Sequence, residues 1–197
     1  MLSGRGSNFL ALQRDSLRPD APYRLELVFS DQEEAPGLAH ARRLGLPTHT
    51  ANPRQFPGKA AYERSLIALF REQRIDLVCL AGYMRIVGAE LLAAFPQRLL
   101  NIHPALLPSF PGLHAQRQAL EYGVRISGCT VHLVDAGTDS GPIVAQAAVP
   151  VLDGDTEETL SIRILEQEHL LYPQALRRIC RGDWRVEDRR VLPDRAT

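Results

Sequence analysis

The chain has 197 residues, 45% of them hydrophobic and 23% charged, with 14 glycines and 14 prolines. That composition suits one compact domain with a sizeable core and excludes a disordered or fibrous chain. Basic and acidic residues balance at 23 each, so the formal net charge is zero. The basic footprint of a nucleic-acid binder is missing, although a local cationic pocket remains compatible with the balance.

The chain opens on Met1-Leu2 and passes at once into Ser3-Gly4-Arg5-Gly6-Ser7-Asn8, ahead of a helix predicted over residues 8–14. Glycines let backbone approach a ligand closely, and a helix N-terminus offers free N–H groups, so the loop can cradle a phosphate. It lacks the Gly-Lys-Ser/Thr of a Walker loop and the third glycine of the dinucleotide fingerprint, so the pattern alone does not specify a ligand.

Beyond it, apolar runs at residues 24–29, 77–81, 99–102 and 130–134 alternate with helical patterns at 37–44, 60–74, 89–94 and 115–122. That alternation predicts an α/β fold, an open and mostly parallel sheet flanked by helices. Residues 142–151 follow the turn signal Asp139-Ser140-Gly141-Pro142 too closely for a parallel crossover, so they are expected to pair antiparallel or lie at the sheet edge.

The strongest helical pattern runs from Thr156 to about Cys180, with Asp155 as the expected cap and Glu158 three residues on. At about 100° per residue, Leu160, Ile164, Leu171 and Ala175 share one arc, and Glu168 falls inside it at about 80°. A carboxylate in an apolar arc should be paired or face a pocket, unless it reaches solvent at the arc's edge. After Gly182 the sequence turns arginine-rich, ending in Leu192-Pro193, an expected edge strand or tail.

The three cysteines (Cys79, Cys129, Cys180) form no CxxC pair, and there is no HExxH, so no zinc signature appears. No secretory signal is visible, and no run approaches the roughly 18 apolar residues of a membrane span. These features point to a soluble protein of a reducing compartment. Lys59 is the sole lysine.

The chemistry-bearing residues cluster late. Asn101 and His103 alternate along one strand and project from the same face, at the C-terminal strand end where open α/β sheets bind ligands. An amide beside an imidazole can stabilise a developing oxyanion and carry a proton. The plainer alternative is a strand-capping Asn and a loop-bonded His. Asp139 reads either as a turn aspartate or, if the fold brings it to His103, as the charge that raises the imidazole pKa. Thr130 and His132 share a strand face and can line the same cleft, with His132 in a supporting role.

Taken together, several segments in order resemble the phosphoribosylglycinamide formyltransferase family of folate-dependent enzymes. They are the glycine loop, Leu80-Ala81-Gly82-Tyr83-Met84-Arg85-Ile86, Leu100-Asn101-Ile102-His103-Pro104-Ala105-Leu106-Leu107-Pro108, Phe110-Pro111-Gly112-Leu113-His114, Gly128-Cys129-Thr130-Val131-His132, Asp139-Ser140-Gly141-Pro142-Ile143 and Gln167-Glu168-His169. The likeness runs from Leu2 to about Pro173.

The resemblance implies a Rossmann-like formyltransferase fold. It also implies transfer of a formyl group from 10-formyltetrahydrofolate to the amine of phosphoribosylglycinamide (GAR) in purine (IMP) biosynthesis, in the cytoplasm. Asn101, His103 and Asp139 would be the catalytic trio: the first two would stabilise the oxyanion, with Asp139 keeping His103 charged and assisting proton transfer. Gly6, Ser7 and Asn8 would hold the substrate phosphate, and Glu168 its amine end. The folate pocket would be built by Met84, Arg85, Ile86 and Val87 with the loop from Asp135 to Asp139. Lys59 stands where the family often has an arginine near the folate's glutamate tail. Partners would be small molecules only, with no metal, nucleic acid or membrane, in a monomer or homodimer.

The expected organisation is one domain over residues 1–197, with a phosphate-binding half (about 1–98), a catalytic and folate half (about 99–182) and a tail (183–197). Relatives with the same Asn-x-His and Asp-x-Gly-Pro arrangement differ elsewhere. A formyltetrahydrofolate hydrolase is expected to carry a domain before Ser3 and a second His where Pro104 stands. A methionyl-tRNA formyltransferase is expected to carry an RNA-binding domain after the long helix. A non-catalytic binding module would not need the intact trio. The family's hydrophobic first strand is reduced here to Met1-Leu2, so the start is expected to be truncated or assigned too late; were the strand instead absent, the phosphate loop would be expected to lose its anchor.

Overall fold

The computed structural model describes residues 1–194, so the last three residues of the expected tail lie outside it. The chain divides into two compact units, Met1–Leu100 and a second beginning at Asn101.

The first unit holds α1 (Ser7–Ser16), β1 (Val28–Ser30), α2 (Pro36–Arg43), β2 (Thr48–Thr50), a 3-10 turn at Pro53–Gln55, α3 (Lys59–Glu72), β3 (Val78–Leu80) and α4 (Ala89–Ala94). β1 and β2 pair in parallel. The run at residues 24–29 yields a strand only from Val28, because its charged first half finds no partner strand. Side chains of Phe29, Phe70 and Phe95 meet edge-on, with centroids 6.2 and 6.0 Å apart, and anchor a core completed by Leu38, Leu66 and Leu91.

The loss of an anchor for the glycine loop, expected were the strand absent, does not occur. Leu2 bridges Ser30 in parallel and its N–H donates to the Phe29 carbonyl at 2.9 Å. On the other side, Ala81 N–H donates to the Met1 carbonyl at 2.8 Å and Ser3 N–H to the Gly82 carbonyl at 2.9 Å. Residues 1–3 thus stand as a minimal strand between β1 and β3, with the Leu2 side chain only 1% exposed. The Met1 ammonium donates to the Cys79 carbonyl at 2.6 Å, and its burial lowers the ammonium pKa to about 6.

β4 (Leu99–His103) leads into the second unit, which continues with α5 (Ala115–Tyr122), β5 (Ile126–Leu133), β6 (Ile143–Pro150), α6 (Glu157–Arg181), β7 (Trp184–Glu187) and β8 (Arg190–Pro193). Its strand order is β4-β5-β6-β8-β7. β6 pairs antiparallel with β5, as the short turn requires, and β8 lies beside it in parallel, so β6 is not an edge. The arginine-rich segment is therefore ordered: β7 and β8 form an antiparallel hairpin. Trp184 Nε1 donates to the Ile179 carbonyl at 2.9 Å, and Arg178 reaches the Val144 and Val191 carbonyls at 3.1 and 2.9 Å.

α6 packs on β5 and β6 through the predicted arc, burying Leu160, Ile164, Leu171, Ala175 and also Glu168. Each large apolar side chain so buried contributes about 1.5–3 kcal/mol. The cap differs from the expected Asp155–Glu158 box. Thr156 is the N-cap and exchanges hydrogen bonds with Thr159, at 3.2 and 2.9 Å. Asp155 instead receives the Arg163 guanidinium on both oxygens, at 2.7 and 2.9 Å. A bidentate charged pair is a stronger attachment for a carboxylate than a lone N-cap bond, so the cap passes to the next residue.

Candidate active site

Four of the predicted side chains converge in the second unit. Asn101 and His103 project from β4, His132 from the end of β5, and Asp139 from the loop that joins β5 to β6. Asp139 Oδ2 lies 3.3 Å from His103 Nδ1 and accepts the Gly112 N–H at 2.8 Å. Its Oδ1 accepts from Asn101 Nδ2 at 3.4 Å and lies 3.6 Å from His132 Nε2. One carboxylate therefore organises an amide, two imidazoles and a backbone N–H.

The loop is built to deliver it. Asp139 adopts a left-handed backbone, φ 51°, a conformation short polar residues tolerate best among non-glycines. Asp135 Oδ1 accepts both the Gly137 N–H at 3.1 Å and the Ser140 hydroxyl at 2.7 Å, closing the turn from inside. A Cβ at Gly141 would lie 1.8 Å from the Leu133 carbonyl oxygen, so this close approach admits only glycine. Asp135, expected among the folate contacts, acts here on its own loop.

The second ring nitrogen of His103 faces the Phe110 carbonyl at 2.8 Å. Burial pushes the imidazole pKa below its ordinary value. The Asp139 carboxylate and the Phe110 carbonyl raise it, but burial outweighs them, contrary to the expectation that Asp139 would leave the ring charged. Burial likewise pushes Asp139 up, yet the nearby His132, the Gly112 N–H bond and the His103 imidazole outweigh it and hold the carboxyl below the usual range. The surroundings thus favour the charged form of Asp139 and the neutral form of His103.

His132 donates from Nδ1 to the Leu133 carbonyl at 3.0 Å, leaving Nε2 to accept from Asn101 Nδ2 at 3.1 Å. That arrangement presents the Asn101 amide in one orientation.

Thr130 does not line the cleft. It is fully buried, donates to the Ala105 carbonyl at 2.7 Å, and accepts from Leu107 N–H at 3.0 Å and Gln146 Nε2 at 3.0 Å. It pins the loop that leaves β4 after His103. Glu168 is 6% exposed on α6, near Cys129. Burial first and this carboxylate second push the Cys129 thiol up to about 12, so it is no nucleophile.

The other candidates belong to the first unit. Gly6 caps α1 with φ 77°, and an added Cβ would lie 2.9 Å from Gly37 Cα. Both the backbone angle and the close approach select glycine. Ser7 and Asn8 open α1, whose first turn carries no acidic residue, so the positive end of its dipole meets no carboxylate from its own first turn.

Lys59, Met84, Arg85, Ile86 and Val87 line one cleft of about 310 Å³, together with Tyr62, Glu63, Leu66, Tyr83 and Leu91. The volume suits a small organic ligand. Met84 and Ile86 are 68% and 67% exposed, presenting apolar surface beside two cations.

Three features here escaped sequence reading. Tyr62 and Tyr83 share a hydroxyl–hydroxyl hydrogen bond of 2.9 Å, and burial raises both phenol pKa values. Arg85 lies over the Tyr62 ring, 5.9 Å from its centroid. Buried Glu63 accepts the Gly88 N–H at 2.5 Å and the Leu91 N–H at 3.3 Å, capping α4 from α3. A carboxylate at a buried helical position was the available signal for Glu63. Gly112 and Phe110, also missed as site residues, lie in a motif the sequence had already marked. Among the described residues no group of three or more His, Cys, Asp and Glu side chains could hold a metal ion, and no helix is long and apolar enough to cross a membrane.

Residues 1–176 match the family model described as formyl transferase. The trifunctional purine biosynthetic protein adenosine-3 of Drosophila pseudoobscura pseudoobscura is 44% identical over 185 residues, covering 92% of this chain and 14% of that protein. The chain therefore spans a small part of such multifunctional relatives. The phosphoribosylglycinamide formyltransferase of Mycobacterium tuberculosis is 45% identical over 176 residues, covering 89% of this chain and 81% of that one. Among solved structures, glycinamide ribonucleotide transformylase 1 from Symbiobacterium toebii has a TM-score of 0.96 at 49% identity, covering 98% of this chain and 92% of that one.

Proposed function

The chain belongs to the formyl transferase family, and from that premise we propose that it transfers the formyl group of 10-formyltetrahydrofolate to the amine of phosphoribosylglycinamide in purine biosynthesis, in the cytoplasm. The observation that carries the reading is the Asp139 carboxylate joined to Asn101, His103 and His132.

The amine attacks the formyl carbon, and as the N–C bond forms the carbonyl pair moves onto oxygen. Asn101 Nδ2 donates to that oxyanion, giving up its long contact to Asp139 Oδ1 while His132 keeps the amide oriented. The oxyanion then collapses and the formyl C–N10 bond breaks, the attacking amine releasing one proton and N10 of the departing tetrahydrofolate gaining one. His103, resting neutral in its buried position, takes up that proton and passes it on, and Asp139 at 3.3 Å stabilises the imidazolium formed between the two steps. A neutral imidazole donates through one nitrogen only, so with Nδ1–H turned to Asp139 it is Nε2, opposite the Phe110 carbonyl, that swings to meet the reacting groups.

Gly6, Ser7 and Asn8 hold the substrate phosphate on the first turn of α1. The buried Glu168 positions the amine end. The cleft at Met84, Arg85, Ile86 and Val87 takes the folate, its apolar and aromatic walls suiting a planar ring and Lys59 and Arg85 an acidic tail. Lys59 supplies charge there without the fork of an arginine.

The test is a comparison of acceptors. The chain is incubated with 10-formyltetrahydrofolate and, separately, phosphoribosylglycinamide, methionyl-tRNA or water alone. Formylation of the glycinamide amine is the expected result. Turnover only with tRNA, or only by hydrolysis, overturns the proposal.

A further inference from the structure

Asp31 has no part in the chemistry above, yet it is a carboxylate only 5% exposed. Its Oδ1 accepts the Ser3 hydroxyl at 2.6 Å and its Oδ2 the Gln32 side-chain amide at 3.3 Å. Both donors are neutral, so Asp31 is not held there by a cation. What it does is orient one hydroxyl. Ser3 has a single hydroxyl proton, and committing it to Asp31 turns the oxygen's lone pairs toward the Met84 N–H, which donates to Ser3 Oγ at 2.9 Å. Ser3 N–H also donates to the Gly82 carbonyl at 2.9 Å, so one residue grips residues 82–84 twice.

Ser3 is also the first residue of the glycine loop. The loop continues through Gly4, whose carbonyl accepts the Gly37 N–H at 3.0 Å, to Gly6 and the first turn of α1. A single hydroxyl thus ties the loop assigned to the substrate phosphate to the segment that starts the wall of the folate cleft. Met84 is two-thirds exposed and Ser3 half-buried, so neither segment is locked by packing alone. Where two ligands each order a shared element, the first to bind meets the ordering cost and the second binds more tightly, with reciprocal factors.

We propose that Ser3, oriented by Asp31, is a positioning residue that couples the two substrate sites, so that phosphate held by residues 6–8 preorganises residues 84–87 for the folate. The proposal rests on the assignment of those two segments to phosphate and folate made above. It adds a dependence of each ligand's affinity on the other.

The experiment measures dissociation constants by calorimetry for phosphoribosylglycinamide and for tetrahydrofolate, which cannot donate a formyl group, each alone and with the other saturating. In the wild type each ligand tightens the other by about five- to tenfold, at the low end for coupled sites. Ser3→Ala brings that factor to about one while each ligand alone binds within about threefold of wild type, a split that general loosening of the fold does not produce. Asp31→Asn keeps an acceptor for the hydroxyl and retains the coupling. If Ser3→Ala melts below the assay temperature, Asp31→Ala, which frees the hydroxyl to rotate, takes its place with the same expected loss. Coupling that survives in Ser3→Ala, is absent from the wild type, or disappears in Asp31→Asn overturns the proposal. A wild type that binds neither ligand marks instead the failure of the substrate assignment, and the coupling falls with it.

Discussion

Asp139→Asn separates charge from shape at the active site. The amide is isosteric with the carboxylate, and its oxygen can still accept the Gly112 N–H that Oδ2 accepts at 2.8 Å. The other terminal atom turns from acceptor to donor, facing Asn101 Nδ2 at 3.4 Å and His132 Nε2 at 3.6 Å. Unit charges separated like His103 Nδ1 and Asp139 Oδ2, at 3.3 Å, attract by about 5 kcal/mol at an effective dielectric of about 20. That dielectric fits side chains 5% and 15% exposed. Only the share of that attraction realised as the imidazolium forms bears on the rate. About 3–4 kcal/mol of lost transition-state stabilisation lowers kcat by roughly 100- to 1,000-fold. The fold keeps the Gly112 bond, so the melting temperature should move by no more than about 4 °C. Formyl transfer is followed spectrophotometrically across pH under saturating substrates. A variant with kcat within threefold of wild type and an unchanged pH profile would refute the role given to the carboxylate.

Three further outcomes are expected. Glu63→Ala leaves one buried and one half-buried N–H group at the start of α4 without their acceptor, at a cost of about 2 kcal/mol. Calorimetric melting should fall by about 4–8 °C and the KM for folate should rise more than kcat falls; an unaltered melting curve contradicts the cap. His103 titrates below 6.5 in the folded chain because burial disfavours its charged form, so folded protein takes up that proton at lower pH than unfolded protein. Its contribution to stability is full above the unfolded value and is lost as pH falls through the folded one. Melting temperature should therefore drop between about pH 7 and pH 5, and drop less in His103→Gln; equal slopes would count against a buried neutral imidazole. Arg178→Ala removes both bonds that tie α6 to β6 and β8, costing about 1–3 kcal/mol in urea unfolding. Amide exchange in β8 should rise while kcat stays at the wild-type value, and unchanged exchange would show that the hairpin holds without it.

The local elements best read from sequence are those whose signals are local. Residues 89–94 and 115–122 form the helices expected of them, each with a glycine at one end, Gly88 before the first and Gly123 after the second. The arc of α6 and its one discordant carboxylate were equally legible, because burial of a helix face follows from periodicity. Elements that depend on a distant partner were not. β2 is three residues, Thr48–Thr50, too short and polar to announce itself, and it exists because β1 offers a parallel edge. β5 begins four residues earlier than the apolar run suggests. Gly128 interrupts the pattern there, yet a Cβ would lie 2.0 Å from the Ala147 carbonyl oxygen, so the close approach of β6 explains the glycine.

The site divides in the same way. The types and spacing of Asn101, His103 and Asp139 and of the glycine loop left plain structural readings open beside the functional ones, and only the resemblance of several segments in order to a known family implied a particular chemistry. Their relations were settled only in three dimensions. Asp139 receives Gly112 and both imidazoles because a left-handed residue turns it inward, and no spacing rule encodes that turn. His103 sits below its ordinary pKa because burial exceeds the pull of its aspartate, a balance set by how many neighbours exclude water. Met1-Leu2 looked too short to form a strand, yet residues 1–3 are held on both sides by hydrogen bonds, with Phe29 on one and with Ala81 and Gly82 on the other. Residue identity sets which reactions a chain can perform, and tertiary packing sets the solvent exclusion and the directions of charge that decide how those residues are used.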